Sequence, residues 1–270
     1  MSVSQDKNNL VYLVYGRDES YRWEAKFSIL SVLRCTSSDA MPSISVYTDE
    51  PESFAGWPVE VLALDQPTLD EWTGQQGYLH RRKAVAIRSA LMRCARSIFV
   101  DTDTFFVAPA DRLFERLNHS DWLVDEVEGL WGDWSDQPLY AATACHLRAN
   151  YQVGDDMYLV NSGVLGLNSQ ALHIMDRTIE LIDELYPMAP AIHIIEQFAV
   201  GVAAYGLSKP AEAYDVVRHY YGEKRYWRSI LEVFSPRMAK CIARHSLLPC
   251  ATCRVAVPNR SGGVVCSSVL

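Results

Sequence analysis

Ser97-Ile98-Phe99-Val100-Asp101-Thr102-Asp103 runs from a short apolar strand straight into two carboxylates one residue apart. At the end of a buried strand such a pair is costly. The charges repel each other and lose hydration unless something positive sits between them. A divalent cation is the natural partner, and two hard oxygens favour Mg2+ or Mn2+ over zinc. Such an ion keeps positions open for water or substrate phosphate. The reading is therefore a metal–diphosphate site at the C-terminal end of a strand.

Working outward, the flanking segments alternate between strand and helix. Leu10 to Tyr15 reads as a first strand stopped by Gly16. Residues 21–34 then carry Phe27, Leu30 and Leu33 at helical spacing. Ser43–Thr48 and Val59–Leu64 read as strands, and residues 82–94 as a helix leading into the Asp-bearing strand. This alternation implies an α/β fold: a single, Rossmann-like, mostly parallel sheet with helices on both faces. Ligands of such sheets bind beyond the carboxyl ends of the strands, where the Asp pair falls.

Further along the pattern weakens. Residues 126–156, with Trp131-Gly-Asp-Trp134 and Gln137-Pro138, read as a long connection with short elements on the acceptor side. Residues 157–167 read as a strand pair, or one strand kinked at Gly163. Helices are expected over 170–185, with Leu172, Met175, Ile179 and Ile182 on one face, and over 194–204. Val216–Tyr221 reads as a late strand, and 227–244 as a final helix bent near Pro236. Residues 258–270, rich in Ser and Gly, read as a mobile tail.

The 270 residues are 49% hydrophobic and 21% charged, enough for one large α/β domain. A net charge of −8 argues against binding nucleic acid, where neutralising phosphate dominates affinity. The N-terminus lacks the apolar core of a signal peptide, and no apolar run is long enough to span a bilayer. Seven scattered cysteines then read as reduced thiols of a cytoplasmic protein. Cys241, Cys250, Cys253 and Cys266 match no standard zinc knuckle.

Several motifs occur in a fixed order: Lys83, then Asp101-Thr-Asp103, then Asn161-Ser-Gly163, then Glu196-Gln197, then His219-Tyr-Tyr-Gly222-Glu-Lys224. Over about residues 10–227 the chain resembles the nucleotide-sugar-dependent glycosyltransferases of GT-A fold. The resemblance is strongest to the retaining group that includes glycogenin and the lipopolysaccharide galactosyltransferases. It implies one domain, with a nucleotide-sugar half at about 10–125 and an acceptor half at about 126–250. It also implies that Asp101, Asp103 and His219 hold Mn2+ or Mg2+, and that Asp101 touches the ribose. Lys83, Asn161 and Ser162 would contact the donor, Tyr15 and Tyr21 would lie under the base, and Glu196 and Gln197 would face the anomeric carbon. The segment after His219 is one residue shorter than in the family, so either Lys224 or Arg225 would meet the diphosphate.

The expected reaction is sugar transfer from a nucleotide-diphosphate donor to a glycan, lipid-linked or protein hydroxyl. If the enzyme inverts instead of retaining, Asp155 or Asp156 is the nearest candidate base. The basic face of the final helix, with Arg228, Arg237, Lys240 and Arg244, suggests peripheral membrane contact. Two other readings compete. A sugar nucleotidyltransferase would need a Gly-rich phosphate loop after the first strand, which Gly16 alone does not supply. A non-catalytic assembly protein would bind the nucleotide without turnover. Read singly, each motif has a plainer explanation. Asp-Thr-Asp could be a solvated turn, His219 a bonded core histidine, Arg81-Arg82-Lys83 a solvated helix start, and Gly163 a special backbone angle.

Overall fold

A computed structural model describes residues 4–232, 257–258 and 264–265. One seven-stranded sheet organises it. Its strands are β1 (Ser4–Val14), β2 (Ser43–Thr48), β3 (Glu60–Ala63), β4 (Cys94–Val100), β6 (Trp122–Leu130), β7 (Tyr158–Asn168) and β8 (Ala211–Glu212). The order is β3-β2-β1-β4-β7-β6-β8, and β7 alone runs antiparallel to its neighbours. The fold is thus the expected α/β one, a mostly parallel sheet flanked by helices, as the GT-A resemblance implies. A small ladder outside the sheet pairs β5 (Thr104–Phe106) with β9 (Val217–His219), placing Thr104 opposite His219.

The helices divide between the faces. On one side α3 (Arg81–Leu91), α6 (Leu172–Leu185) and α7 (Ile195–Ala203) bury Ile87, Met175, Leu181 and Phe198 over the sheet. On the other, α1 (Glu19–Cys35) and α4 (Asp111–Arg116) bury Ile29, Val32, Leu113 and Phe114. Both faces of the central strands are covered, so Leu10, Val11 and Tyr12 are all fully buried. Helix α1 also turns polar groups inward. Ser28 Oγ lies 2.9 Å from both Tyr12 Oη and Thr104 Oγ1, and Ser31 Oγ accepts from Phe106 N–H at 2.7 Å. These bonds pin β5 to the helix, and with it the Asp-Thr-Asp turn.

Several expectations need correction. Residues 126–156 are not a long connection. They hold most of β6 and the helix α5 (Pro138–Tyr151). Asp125, Glu126 and Glu128 break the apolar pattern of β6, and α5 buries only Leu139, Thr143, Ala144 and Leu147. The helix before the Asp motif ends at Leu91, and Cys94 already belongs to β4. A further helix, α2 (Gln66–Thr73), starts at Asp65, whose side chain caps Thr68 N–H. The segment 157–167 is one strand, not a pair. Its pairing with β6 slips between Val124↔Leu165 and Glu126↔Asn161. The late strand is shorter than 216–221 and pairs outside the main sheet. Of the final helix, residues 224–232 are described. Its bend near Pro236 and the grouped cysteines lie outside the described residues. The expected mobile tail is described only at Val257–Pro258 and Val264–Val265, which pair antiparallel.

Candidate metal and diphosphate site

The Asp motif leaves β4 at the carboxyl edge of the sheet. Asp101 N–H donates to Gly163 O at 2.8 Å, and Thr104 Oγ1 donates to Asp101 O at 2.8 Å. These two bonds bend the chain so that Asp103 turns inward, while Asp101 stays partly open. On the other strand of the small ladder, Tyr220 N–H donates to Asp103 O at 3.0 Å. His219 therefore arrives beside the pair. Single ligand atoms from Asp101, Asp103 and His219 lie within 4.8 Å of one another.

The donor set suits a hard divalent cation: two carboxylates and one imidazole. Two further observations favour that fit. Asp103 Oδ2 is buried and lies 3.0 Å from Lys224 Nζ and 3.4 Å from His219 Nε2, yet neither approach has the angles of a hydrogen bond. The oxygen is charge-paired but not satisfied. His219 Nδ1 is engaged elsewhere, 2.7 Å from Asp125 Oδ2. An Nδ1–H bond to Asp125 would leave Nε2 free to ligate a cation that displaces its proton, the way a metal-binding histidine is usually oriented. Burial opposes charge on His219, but Asp103 and Asp125 prevail and lift its pKa to about 9. For Asp103, burial is likewise outweighed, here by His219 and Lys224, and its carboxyl is held far below the usual range.

Gly163 explains how the imidazole fits. A Cβ built there would fall 2.2 Å from His219 Cε1 and Nδ1. Its φ lies outside the left-handed range. Gly163 is present for close approach, not for a special backbone angle.

Lys83 lies on the far side of Asp101. Its Nζ is 3.3 Å from Asp101 Oδ2, 3.1 Å from Ser162 Oγ and 3.7 Å from Glu196 Oε2. Ser162 Oγ donates to Glu196 Oε2 at 2.8 Å. Burial opposes the Lys83 charge, yet Asp101 and Glu196 hold its pKa above the ordinary value. Burial also raises the Glu196 carboxyl, against the pull of Lys83. Lys83, Ser162 and Glu196 thus form one buried unit under Asp101 rather than three separate contacts. Lys224, not Arg225, makes the ion pair to Asp103.

Asn161 and Gln197 meet at a residue that sequence reasoning missed. Asn161 Nδ2 donates to Glu128 Oε1, and Gln197 Nε2 donates to Glu128 Oε2, each at 3.3 Å. Asn161 Oδ1 accepts from Gly163 N–H at 2.9 Å. Asp125 was also missed. Both lie on β6, where acidic residues disguised the strand. The remaining predicted residues are more peripheral. Tyr15 lies beneath the Arg82 guanidinium, 4.6 Å from ring centroid to Cζ, and Tyr21 sits under Arg228 at 5.0 Å. Between them Gly16 N–H donates to Asp49 Oδ2 at 2.9 Å, closing the first strand end. Asp155 bonds Tyr140 and Arg148, and Asp156 bonds Tyr205.

The strap after His219 is anchored by aromatic packing. Trp227 is 1% exposed and sits 4.9 Å from Phe105, 5.4 Å from Tyr220 and 6.1 Å from Phe27, between ring centroids. Arg228 grips the fully buried Glu24 of α1, with Nε–Oε1 at 2.9 Å and Nη2–Oε2 at 3.2 Å. Among the described residues no helix is long and apolar enough to cross a membrane.

No family model and no curated protein matches the sequence. Among solved structures, the chain is similar to the apo crystal structure of mouse xyloside xylosyltransferase 1. The two are 13% identical, the match covers 73% of this chain and 81% of that one, and the TM-score is 0.48. That likeness assigns no reaction to this chain.

Proposed function

We propose that this protein is a metal-dependent glycosyltransferase that moves a sugar from a nucleotide-diphosphate donor to a hydroxyl acceptor with retention. What supports this most is the meeting of Asp101, Asp103 and His219 ligand atoms within 4.8 Å at the carboxyl edge of the sheet, between two lysines. These three residues would hold Mn2+ or Mg2+, which when bound supplies Lewis-acid stabilisation of a departing diphosphate.

The protein's own groups complete the chemistry. Lys224, partly exposed beside Asp103, offers fixed positive charge to the phosphates. Lys83 does the same from below, kept charged by Asp101 and Glu196. Glu196 is buried behind Ser162 and Lys83 and so acts through them. Gln197 and Asn161 face the sugar, and the base stacks near Tyr15 and Tyr21. In retention, the departing phosphate oxygen takes the acceptor proton on the same face of the sugar. A cavity of about 220 Å³ beside His219, lined by Asp125, Glu126, Tyr214 and Tyr221 among others, receives the acceptor. That acceptor is a glycan, lipid-linked or protein hydroxyl.

The test is a thermal-shift and donor-hydrolysis screen of nucleotide sugars with and without MnCl2. Asp103→Ala should abolish the manganese-dependent stabilisation by nucleoside diphosphate. Unchanged stabilisation in that variant would sink the metal assignment. The anomeric configuration of the product, read by NMR, decides retention.

A further inference from the structure

We infer that Glu128 is the specificity residue for the donor sugar, and that it selects a neutral, hydroxyl-bearing sugar over a uronic acid. The inference rests on the glycosyltransferase reading above and adds the substrate class to it.

The backbone supplies the first argument. The pairing of β6 with β7 runs Val127↔Val160 and then Gly129↔Leu159, so Glu128 is an extra residue opposite no partner. Gly129 sits at φ +143°, a conformation that side-chain-bearing residues rarely adopt. A bulge with a glycine behind it re-aims the residue it carries and is typical of strands beside active sites. Here it turns Glu128 onto Asn161 and Gln197.

The second argument is geometric. Each carboxylate oxygen of Glu128 takes one amide N–H, and this orients both amides. With its nitrogen committed to Glu128, Gln197 turns its carbonyl oxygen away from the carboxylate. A carboxylate with two oriented amides offers acceptors to vicinal hydroxyls, the chemistry of a neutral pyranose.

The third argument is electrostatic. Lys83 and Lys224 sit at the Asp101–Asp103 end, where the diphosphate would lie. Strand β6 carries Asp125, which meets His219, and then Glu126 and Glu128, within four residues. Desolvation raises the Glu128 carboxyl, the amide bonds from Asn161 and Gln197 pull it down, and the charges of Glu126 and Asp125 raise it again. Glu128 therefore already sits in a negative field. A carboxylate on the donor sugar would enter that field and be repelled by it.

The experiment measures binding of UDP, UDP-glucose and UDP-glucuronate, and of GDP, GDP-mannose and GDP-mannuronate, each with MnCl2, by calorimetry. Wild type should bind the neutral sugar nucleotide about tenfold or more tightly than its uronate counterpart. Glu128→Gln should shrink that gap to about threefold or less while affinity for the sugar-free diphosphate stays within about twofold, which also confirms folding. Glu128→Asp, which keeps the charge, should preserve the discrimination. Equal binding of both sugars by wild type, or a gap unchanged in Glu128→Gln, overturns the inference while leaving the glycosyltransferase reading intact. Failure of wild type to bind any of these ligands with manganese removes that reading, and the inference with it.

Discussion

Replacing Gly163 by alanine should unseat His219. The new Cβ would lie 2.2 Å from His219 Cε1 and Nδ1, against an ordinary carbon contact of about 3.5–4.0 Å. One partner must retreat by more than about 1 Å. Strand β7 is held on both sides, and the Asp101 N–H bond to Gly163 O fixes it at this residue, so the imidazole is the part that moves. A retreat of that size stretches the 2.7 Å contact with Asp125 beyond hydrogen-bond range. Overpacking costs about 1–3 kcal/mol, and the lost bond to a charged group brings a similar penalty. The expected loss is thus about 2–6 kcal/mol, or roughly 2–4 °C in Tm for each kcal/mol in a chain near this size. Urea unfolding of Gly163→Ala, His219→Ala and the double variant isolates the cause. If the clash is with the ring, most of the alanine's cost disappears once the ring is gone, leaving only the 3.1 Å approach to Asn161 Oδ1. Gly222→Ala is the control, because a Cβ there meets nothing within 4 Å. Gly163→Ala should also lose manganese-induced stabilisation. An equal cost of the alanine with and without the His219 ring refutes the argument.

Three other variants test the supports of the site. Arg228→Ala leaves Glu24 buried without its partner and should cost about 3–5 kcal/mol at neutral pH. Burial already raises the Glu24 pKa above its unfolded value of about 4.3, so its ionisation opposes folding as pH rises through that value. The deficit in Tm relative to wild type should therefore grow from acid to neutral pH; a deficit independent of pH refutes the assignment. Trp227→Ala should cost about 3–5 kcal/mol and weaken nucleoside diphosphate binding together with stability, because the same helix carries Lys224. Lys224→Ala should weaken diphosphate binding by more than it costs in urea unfolding, since the lysine side chain is 41% exposed and Asp103 keeps His219 beside it. Equal losses of binding and stability in that variant would mean Lys224 is structural.

The parts of the site legible in the sequence were those that break a local rule. Asp101 and Asp103 stand out because charge at the end of an apolar strand is expensive, and the structure gives both of them cationic neighbours. The parts that stayed hidden obey a rule satisfied at a distance. Asp125 looks like a surface residue until His219 arrives across the fold, and Glu128 like a loop carboxylate until a bulge turns it onto two amides. Strand β6 was hidden for the same reason, because its polar residues serve neighbours far away in sequence. Helix α1 shows the converse. Its inward Ser28, Ser31 and Glu24 blur the apolar stripe, yet each binds a residue of the β5 ladder, the strap or the helix itself.

Only four residues, 220–223, separate His219 from Lys224, which must return to the Asp motif. The structure resolves this through register. The ladder sets Thr104 opposite His219, and Tyr220 N–H closes on Asp103 O, so the strap begins against the residue it must reach. From there a single 3-10 turn, Tyr221–Glu223, reverses direction in three residues. Lys224 then opens the next helix with its ammonium 3.0 Å from Asp103 Oδ2. Trp227, one helical turn later, drops into the Phe27–Phe105–Tyr220 cluster and holds the turn closed. A longer strap would have to bulge outward before meeting the same aromatic anchor. The short strap therefore makes a tight return to that carboxylate, and the distance between His219 and Lys224 is set by Asp103, which both of them contact.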